Sequence, residues 1–333
     1  MKKILIQKGL IFAALSVLLS SFAAIASAQE FRGTITGKVS DPNGAIIPGA
    51  AVVIKNVDTN IEATLKTNDE GVYVAALLNP GKYSVAVTGT GFRKSLREQV
   101  ILNVGDRLSL DFQLEVGNEA QQVTIVADTE LVEKGSVTTG TVVSGRQIEE
   151  LPLSEGAAYN LALQAPGVAY TGNPLFTGPT SNGNLAAFRS NGVVGSQITL
   201  DGSPNLGFDG SVAYTPPSDA VAQFKIQTSS FDAQSGFTAG STVNVAVKSG
   251  TNKFHGTGSY FDRSKPFTAN NFYSNKASVP RPERHYYRYG GQVNGPIIKD
   301  KTFFMRSYER QYNCVPAPQL YSVPTTKMRT GDC

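Results

Sequence analysis

The side chains that most often carry catalysis or bind metals are few in this chain, and they lie far apart. Its two histidines are His255 and His285, and its two cysteines are Cys314 and Cys333. A structural zinc site needs about four ligands at close spacing, and nothing in the sequence places the serine and aspartate of a hydrolytic triad near His255. The sequence has no G-x-S-x-G, P-loop or G-x-G-x-x-G motif. We therefore predict a protein that is not an enzyme, with no catalytic residue, metal site or cofactor.

Two further groups of polar residues have simple interpretations. Residues 201–205, Asp-Gly-Ser-Pro-Asn, offer acidic and amide oxygens but lack the glycine and glutamate of an EF-hand loop, so we interpret them as a turn. Cys314 and Cys333 lie in a loop-like C-terminal stretch, where an exported protein could pair them or leave them apart.

The first 28 residues have the pattern of an export signal. Three lysines precede an apolar run from Leu10 to Ile25, and Ala26-Ser27-Ala28 is typical of a cleavage site. A retained membrane anchor is the alternative, but the run is short and ends in small residues. We predict cleavage between Ala28 and Gln29.

Composition favours β structure over helix in the remaining chain. The whole sequence contains 33 glycines and 17 prolines, no tryptophan, and few long helical patterns, at a length that suits about two domains. The formal net charge of +4 hides an asymmetry, because acidic residues are in excess over 29–249 and basic residues over 250–333. In an exported protein we assign the basic end to anionic outer-membrane lipid or a solvated face, and we expect no nucleic-acid partner.

Residues 29–116 show strand after strand at short intervals, which predicts a β-sandwich. The predicted strands are 34–41, 51–57, 61–67, 72–77, 82–88, 96–102 and 107–114. Alternation in KYSVAVT places Tyr83, Val85 and Val87 on one face.

The stretches GKVSDPNGAIIPGAAVVIKN and TNDEGVYVAALLNPGKYSVAVTGTGFRK resemble the carboxypeptidase regulatory-like domain. The resemblance implies an immunoglobulin- or transthyretin-like sandwich and no peptidase activity. A role in docking or carbohydrate contact and a role as a rigid spacer both stay open.

Residues 117–252 combine two short helical stretches with strands and tight turns. Helices are predicted over Arg146–Glu150 and Ala157–Gln164, and turns at Asn191-Gly192 and Asp201-Gly202.

The stretches ELPLSEGAAYNLALQAPGV, FRSNGVVGSQITLDGSPN and DAVAQFKIQTSSFDAQSGFTAGSTVNVAVKSGTN resemble the α+β plug domain of TonB-dependent outer-membrane receptors. Arg189, Gly192, Asp201 and Gly202 carry the matching motif. The sandwich in front of it points to a subgroup resembling the Oar-type receptors.

A short β-prone run, QQVTIVAD, follows the polar linker that starts at Val116. In receptors driven by TonB, a similar segment couples the plug to the inner-membrane energy complex, and the matching residues are Val123, Thr124, Ile125, Val126 and Ala127. Such a segment adds as an edge strand to a partner's sheet. The alternative is an ordinary first strand of the following domain.

Residues 253–333 carry the alternation of a membrane β-strand. We predict strands at 254–261, 285–295 and 302–310, a polar loop over 263–283 and a turn from Pro296 to Lys301. In the second strand, aromatic and apolar residues share one face with His285, and Arg288, Gln292 and Asn294 share the other.

These strands resemble the start of the receptor barrel, which has many more strands than this stretch supplies. Three strands cannot close, since an open edge in lipid leaves backbone groups unpaired. We therefore expect this sequence to be an N-terminal fragment of a receptor; a truncated product or completion by another chain are the alternatives.

The whole chain is thus predicted to be mainly β: an export signal (1–28), a sandwich (29–116), a linker with coupling segment and plug (117–252), and the first strands of an incomplete transmembrane barrel (253–333). The resemblance implies a receptor in the outer membrane of a Gram-negative bacterium. It would take up a scarce solute such as a siderophore, cobalamin or an oligosaccharide, with the TonB-type energy complex as its partner. A surface protein for adhesion or carbohydrate binding is the alternative.

Overall fold

The computed structural model describes thirteen stretches of the chain: 31–117, 122–126, 139–151, 153, 158–170, 188–194, 196–207, 212–229, 240–270, 272–281, 283, 285–314 and 326–329. The predicted cleavage site (Ala26, Ala28, Gln29), Ala127 and Cys333 lie outside them. Among the residues described, no helix combines the length and the apolar character that a membrane span requires. The chain divides into two compact units, one from residues 1–254 and 295–304 and the other from 255–294 and 305–333.

The first domain is a sandwich of two sheets. Its strands are β1 Gly33–Ser40, β2 Ala51–Asn56, β3 Glu62–Lys66, β4 Val72–Leu78, β5 Gly81–Thr88, β6 Lys94–Leu102, β7 Arg107–Ser109 and β8 Phe112–Gln113. One sheet has the order β4-β1-β7, with β8 also paired to β1. The other has the order β3-β2-β5-β6-β9, where β9 is Gln122–Val126. The predicted mainly-β sandwich is therefore present.

Alternation of buried and exposed residues along the strands builds the core between the two sheets. Tyr83, Val85 and Val87 of β5 are buried, as the sequence pattern predicts, while their neighbours are more exposed. Ile35 of β1 and Val52 of β2 are fully buried in the same cluster. Two-residue periodicity is therefore enough to decide which face of each strand closes the sandwich.

The predicted strand 107–114 is interrupted, which corrects the sequence expectation. β7 and β8 pair in parallel with β1 in one continuous register. Between them the carboxylate of Asp111 accepts a hydrogen bond from the backbone N–H of Lys38 at 2.9 Å. A side-chain oxygen thus replaces the backbone carbonyl of the ladder at this point, and the strand is divided in two.

The close approach of β1 to the chain at Leu110 limits what β1 can carry at Gly37. A Cβ atom built at Gly37 would lie 1.8 Å from the carbonyl oxygen of Leu110 and 3.0 Å from the ring of Tyr73. The same carbonyl accepts a hydrogen bond from the buried Tyr73 hydroxyl at 2.8 Å. Burial raises the pKa of Tyr73, so the hydroxyl keeps its proton and remains a donor.

The second domain mixes strands with short helices, as expected for an α+β plug. Its elements are β10 Thr139–Ser144, α1 Gly145–Glu150, a 3-10 helix Ala158–Gln164, β11 Val168–Tyr170, β12 Phe188–Ser190, β13 Val193–Val194, β14 Gln197–Leu200, β15 Ser203–Pro204, a 3-10 helix Ser218–Ala220, β16 Val221–Ser229 and β17 Thr242–Val247. One sheet has the order β10-β16-β17-β14-β15, and a smaller one β11-β12-β13.

The two predicted helices of this domain are both present, one in a different form. α1 begins with a capping box, in which Ser144 and Gln147 satisfy each other's backbone N–H groups. The second is a 3-10 helix rather than an α-helix. Buried residues Ile148, Leu161, Phe224 and Ile226 belong to one cluster that packs these helices onto the sheet.

Three long strands follow the second domain, and two of them are longer than predicted. They are β18 His255–Asp262, β19 His285–Ile298 and β20 Thr302–Cys314, in the sheet order β18-β19-β20. Pro296 continues β19, so the predicted turn shrinks to residues 299–301. The predicted polar loop contains a 3-10 helix, Lys265–Phe267, and α2, Phe272–Lys276; α3 is Thr326–Arg329.

Removing the space that Gly37 leaves for Leu110 tests the packing of the sandwich. We expect Gly37→Ala to lower the free energy of unfolding of residues 31–117 by about 1–3 kcal/mol, because a backbone carbonyl cannot move aside cheaply. Urea unfolding followed by circular dichroism measures the change. Gly89→Ala is the control, since its Cβ would meet its nearest atoms at 3.4 Å, an ordinary contact. Equal stability of the two variants would contradict the packing described.

Candidate functional site

The predicted coupling segment forms a strand of the preceding domain. β9 pairs in parallel with β6, and the register joins Ser95 to Val123 and Glu98 to Val126. The alternative prediction, that this run is the first strand of the following domain, is therefore wrong: that strand is β10. Ala127, the last residue of the predicted segment, lies outside the described residues.

Residues 115–117, which follow β8, are attached to the first domain, although the sequence predicts that a linker starts at Val116. Val116 forms an antiparallel bridge with Phe92. Arg93 N–H donates to the Glu115 carbonyl at 2.9 Å, and Gly117 N–H donates to the Gly91 carbonyl at 3.1 Å. These contacts hold the chain beside the start of β6, so that β9 begins next to its partner strand.

A buried ion pair joins the first domain to the plug sheet. Lys225 lies in the middle of β16 and its Nζ donates to Asp106 Oδ1 at 2.9 Å, with the two side chains only 3% and 7% exposed. Phe224 and Ile226 on either side belong to the plug core. Because side chains alternate along a strand, the Lys225 side chain projects from the opposite face of the sheet, toward the first domain.

The turn that carries Asp106 holds its carboxylate in place. Asp106 Oδ2 accepts a hydrogen bond from the backbone N–H of Asn103 at 2.9 Å. Asp106 N–H in turn donates to the Asn103 carbonyl at 3.2 Å, and Gly105 takes a positive φ of 63°. With one oxygen fixed by its own turn, the other oxygen is directed to Lys225.

A second junction joins the β2–β3 turn, the end of the plug and the turn after β19. Asn252 N–H donates to the carbonyl of Asp58 at 3.0 Å. Asn252 also exchanges two hydrogen bonds with Asp300, one from its side-chain amide and one to its side-chain oxygen, each 2.8 Å. Asn60 donates to the same carboxylate at 2.9 Å. The first domain is thus tied to the point where the plug ends.

The residues of the predicted plug motif lie at two tight turns. Asn191 and Gly192 have φ values of 52° and 83°, and Asp201 and Gly202 have values of 46° and 78°, the pair of positive angles that a type I′ turn needs. Arg189 lies in β12 beside the first turn.

Asp201 also links its turn to the neighbouring strand. Its carboxylate accepts a hydrogen bond from Val247 N–H at 3.1 Å. Desolvation raises the pKa of Asp201, and the Val247 hydrogen bond opposes that shift. Arg189 and Gly192 thus belong to the small sheet β11-β12-β13, whereas Asp201 and Gly202 join β14 to β15 in the five-stranded sheet.

The alternation predicted for β19 is present. Tyr286, Arg288, Gln292 and Asn294 are buried, while His285, Tyr289 and Val293 are exposed. The guanidinium of Arg288 contacts the Glu309 carboxylate at 3.2 Å and lies over the Phe261 ring at 4.5 Å. A charged group on this face is therefore paired, as a strand with one polar and one apolar face requires.

The sequence predicts no catalytic or metal-binding role for the two histidines, and the structure places them on two different strands. His255 begins β18 and His285 begins β19, both exposed. Among the described residues no cluster of three or more His, Cys, Asp or Glu side chains is arranged to hold a metal ion. Cys314 is exposed at the end of β20.

The ion pair and the asparagine junction escaped the sequence analysis. Nothing marks Lys225 in the sequence, because it shares one face of VAQFKIQ with Gln223 and Gln227, which is the pattern of a strand with one solvated face. A buried charge requires a partner, yet nothing in the sequence identifies that partner as Asp106, more than a hundred residues earlier. No signal distinguishes Asn252 or Asp300 from other turn residues.

Comparison with known proteins gives matches at both ends of the chain. A family model described as a carboxypeptidase regulatory-like domain matches residues 34–115, and one described as an outer membrane beta barrel domain matches residues 246–333. Among curated proteins, the TonB-dependent transporter Oar of Myxococcus xanthus is 26% identical over 324 residues. The match covers 92% of this chain and 29% of the transporter.

Two solved receptors are similar over about half of the chain. The siderophore receptor PirA from Acinetobacter baumannii has a TM-score of 0.39 and 22% identity, over 54% of this chain and 25% of that one. The ferric enterobactin receptor PfeA from Pseudomonas aeruginosa has a TM-score of 0.34 and 20% identity, over 48% and 23%.

The order of these segments agrees with the transporter match, which runs through all of them. The chain spans less than a third of the length of that relative. The match to the regulatory-like domain, the match to the barrel domain and the similarity to the Oar transporter together support a TonB-dependent receptor of the outer membrane.

Proposed function

We propose that this chain takes part in TonB-coupled uptake of a scarce solute across the outer membrane of a Gram-negative bacterium. The candidate solutes are a siderophore, cobalamin or an oligosaccharide. The observation that carries the proposal is the position of β9, an uncharged strand at the end of a sheet directly before the plug. A strand in that position can be gripped by another protein through its backbone.

The mechanism is conformational gating rather than covalent chemistry. The periplasmic domain of a TonB-type protein pairs with residues 123–127, and a pull on this segment rearranges the plug so that the bound solute passes. The protein acts as a receptor and not as an enzyme. Its partners are the inner-membrane energy complex, the outer-membrane lipid that contacts the exposed face of β19, and an extracellular ligand; nucleic acid is not among them.

The junctions between the first domain and the plug give this mechanism a mechanical element. Lys225 and Asp106 connect the sandwich directly to the central part of the plug sheet. A force applied at β9 therefore acts on two routes, along the chain to β10 and through the sandwich to β16. We propose that the ion pair keeps the two domains together under load.

The export step has a direct chemical readout. We expect the protein isolated from outer membranes to begin at Gln29, because Ala26 and Ala28 provide the small residues that signal peptidase requires. Mass spectrometry of the N-terminal peptide measures this. A membrane-bound protein that still carries Met1 would contradict export by a cleaved signal.

Breaking the buried ion pair from one side should destabilise the pairing of the two domains. We expect Lys225→Met to lower the stability of residues 29–252 by about 3–5 kcal/mol, because the Asp106 carboxylate would stay buried without its cation. Scanning calorimetry measures the loss.

Two controls separate this effect from a general loss of charge. The exposed pair Lys55–Glu62, with a distance of 3.2 Å, should cost at most about 1 kcal/mol on Glu62→Gln. The double variant Lys225→Met with Asp106→Leu should recover most of the loss, since neither charge is then buried alone. A single variant as stable as the unsubstituted protein would contradict a buried ion pair.

The coupling role of β9 predicts loss of TonB binding when its backbone can no longer pair. We expect Ile125→Pro in the whole protein to abolish binding of the purified periplasmic domain of TonB, because proline removes an N–H donor and fixes φ near −65°. Calorimetric titration of the detergent-solubilised receptor measures the binding, and antibody labelling of cells measures surface display.

Ile125→Val is the matched control, because it keeps a β-branched side chain and the N–H group. It should bind TonB as the unsubstituted protein does, and both variants should reach the surface. Binding that survives Ile125→Pro would show that the coupling segment lies elsewhere in the chain.

A further inference from the structure

We propose that the first domain presents the coupling strand to TonB as the ready-made edge of its own sheet. In this arrangement the TonB domain adds a sixth strand beyond β9, while β9 stays paired with β6. The inference rests on the coupling role proposed above, and it assigns to the sandwich a function in partner binding beyond that of a spacer.

The two edges of the five-stranded sheet differ in how they are protected. β3 forms one edge, and its ends carry Glu62 and Lys66, with Glu62 paired to Lys55 at 3.2 Å. β9 forms the other edge, and its sequence, QVTIV, contains no charge and no proline. Natural sheets protect exposed edges with charges or proline, because an unprotected edge pairs with other strands. The unprotected edge of this sheet is therefore suited to a partner strand.

Among the described strands, β9 has a pairing partner on one side only. In a strand, backbone N–H and C=O groups point alternately to the two sides, so pairing with β6 uses only one set of them. No other described strand pairs with β9, which ends the sheet order β3-β2-β5-β6-β9. The groups on the outer side of β9 are therefore directed away from β6, where a partner strand would meet them.

The contacts before β9 keep the strand in register with β6. The Phe92–Val116 bridge and the Gly117–Gly91 hydrogen bond hold the chain on the sandwich as far as Gly117, five residues before Gln122. The pairing of five successive residues, from Lys94↔Gln122 to Glu98↔Val126, then fixes the backbone of β9. Fixing a residue's backbone costs free energy, so a partner that meets an ordered strand loses less on binding than one that must order it.

A disulfide between β6 and β9 tests whether the strand binds TonB in its docked position. Neighbouring strands lie about 4.8 Å apart, within the range that a disulfide spans. The registered pair Glu98 and Val126 lies at the end of the ladder, so we place cysteines there, in the whole receptor with Cys314 and Cys333 changed to serine. The same protein after reduction is the matched control.

We expect the Glu98→Cys, Val126→Cys disulfide to form, and the oxidised receptor to bind the purified TonB periplasmic domain within about twofold of the reduced receptor, or more tightly. Binding more than tenfold weaker after oxidation would overturn the proposal, because it would mean that β9 must leave β6 first. Free thiols that do not oxidise would overturn it as well, because the two positions would then not be neighbours.

A deletion of residues 31–117 tests the contribution of the sandwich itself. With its template strand removed, β9 must be ordered by TonB alone, and we expect binding at least tenfold weaker in receptor that is displayed on the surface. Unchanged binding would overturn presentation by β6. The Ile125→Pro variant distinguishes failure of the coupling role of β9 from failure of its presentation by the sandwich. If this variant binds TonB normally, the coupling role is wrong. If binding is lost only in the oxidised disulfide form, presentation by the sandwich is wrong and the coupling role stands.

Discussion

The backbone N–H and C=O groups at the edge of a sheet need hydrogen-bond partners, and this requirement explains the position of β9. β6 would end the second sheet of the sandwich with unpaired N–H and C=O groups, and β9 covers this edge with a parallel ladder. The segment that the sequence marks for coupling is thereby placed on a folded domain. Because β9 pairs with β6, the edge strand of this sheet is β9 instead of β6.

Attachment of the sandwich to the plug depends on a small number of polar contacts. The Lys225–Asp106 pair is buried, and its geometry is set in advance by the Asn103–Asp106 turn. The asparagine junction around Asn252 and Asp300 adds a second tie at the end of the plug. A buried ion pair is costly when incomplete, so the Lys225–Asp106 contact favours one arrangement of the two domains over others. A specific arrangement of this kind supports the proposal that the sandwich transmits force to the second domain.

Local patterns in the sequence predicted most of the strands, turns and faces. Alternation in β5 and β19, and the Asn191-Gly192 and Asp201-Gly202 turns, depend on neighbouring residues only, and these predictions are confirmed. The partner of β9 could not be predicted, because a β-prone run carries no information about which distant edge it joins. The interruption between β7 and β8 was missed for a related reason, since it depends on a hydrogen bond from the backbone N–H of Lys38 to the carboxylate of Asp111.

The same distinction between local and distant information explains which features of the candidate site the sequence predicted. The predicted coupling segment rests on an uncharged β-branched run, and the predicted plug motif on two glycine turns. The ion pair joins residues far apart in the sequence, and Lys225 stands at an ordinary polar position of an alternating strand, so neither partner was identified. How these sites act in uptake remains a proposal that rests on their positions.

Hydrogen exchange at the amides of Gln122–Val126 in the intact receptor tests the central claim most directly, because it reports whether this strand is paired before any partner binds. The ladder to β6 predicts that the amides directed to β6 exchange as slowly as those of β5. Exchange of all five amides at the rate of an unfolded peptide would contradict the docked coupling strand on which the account depends.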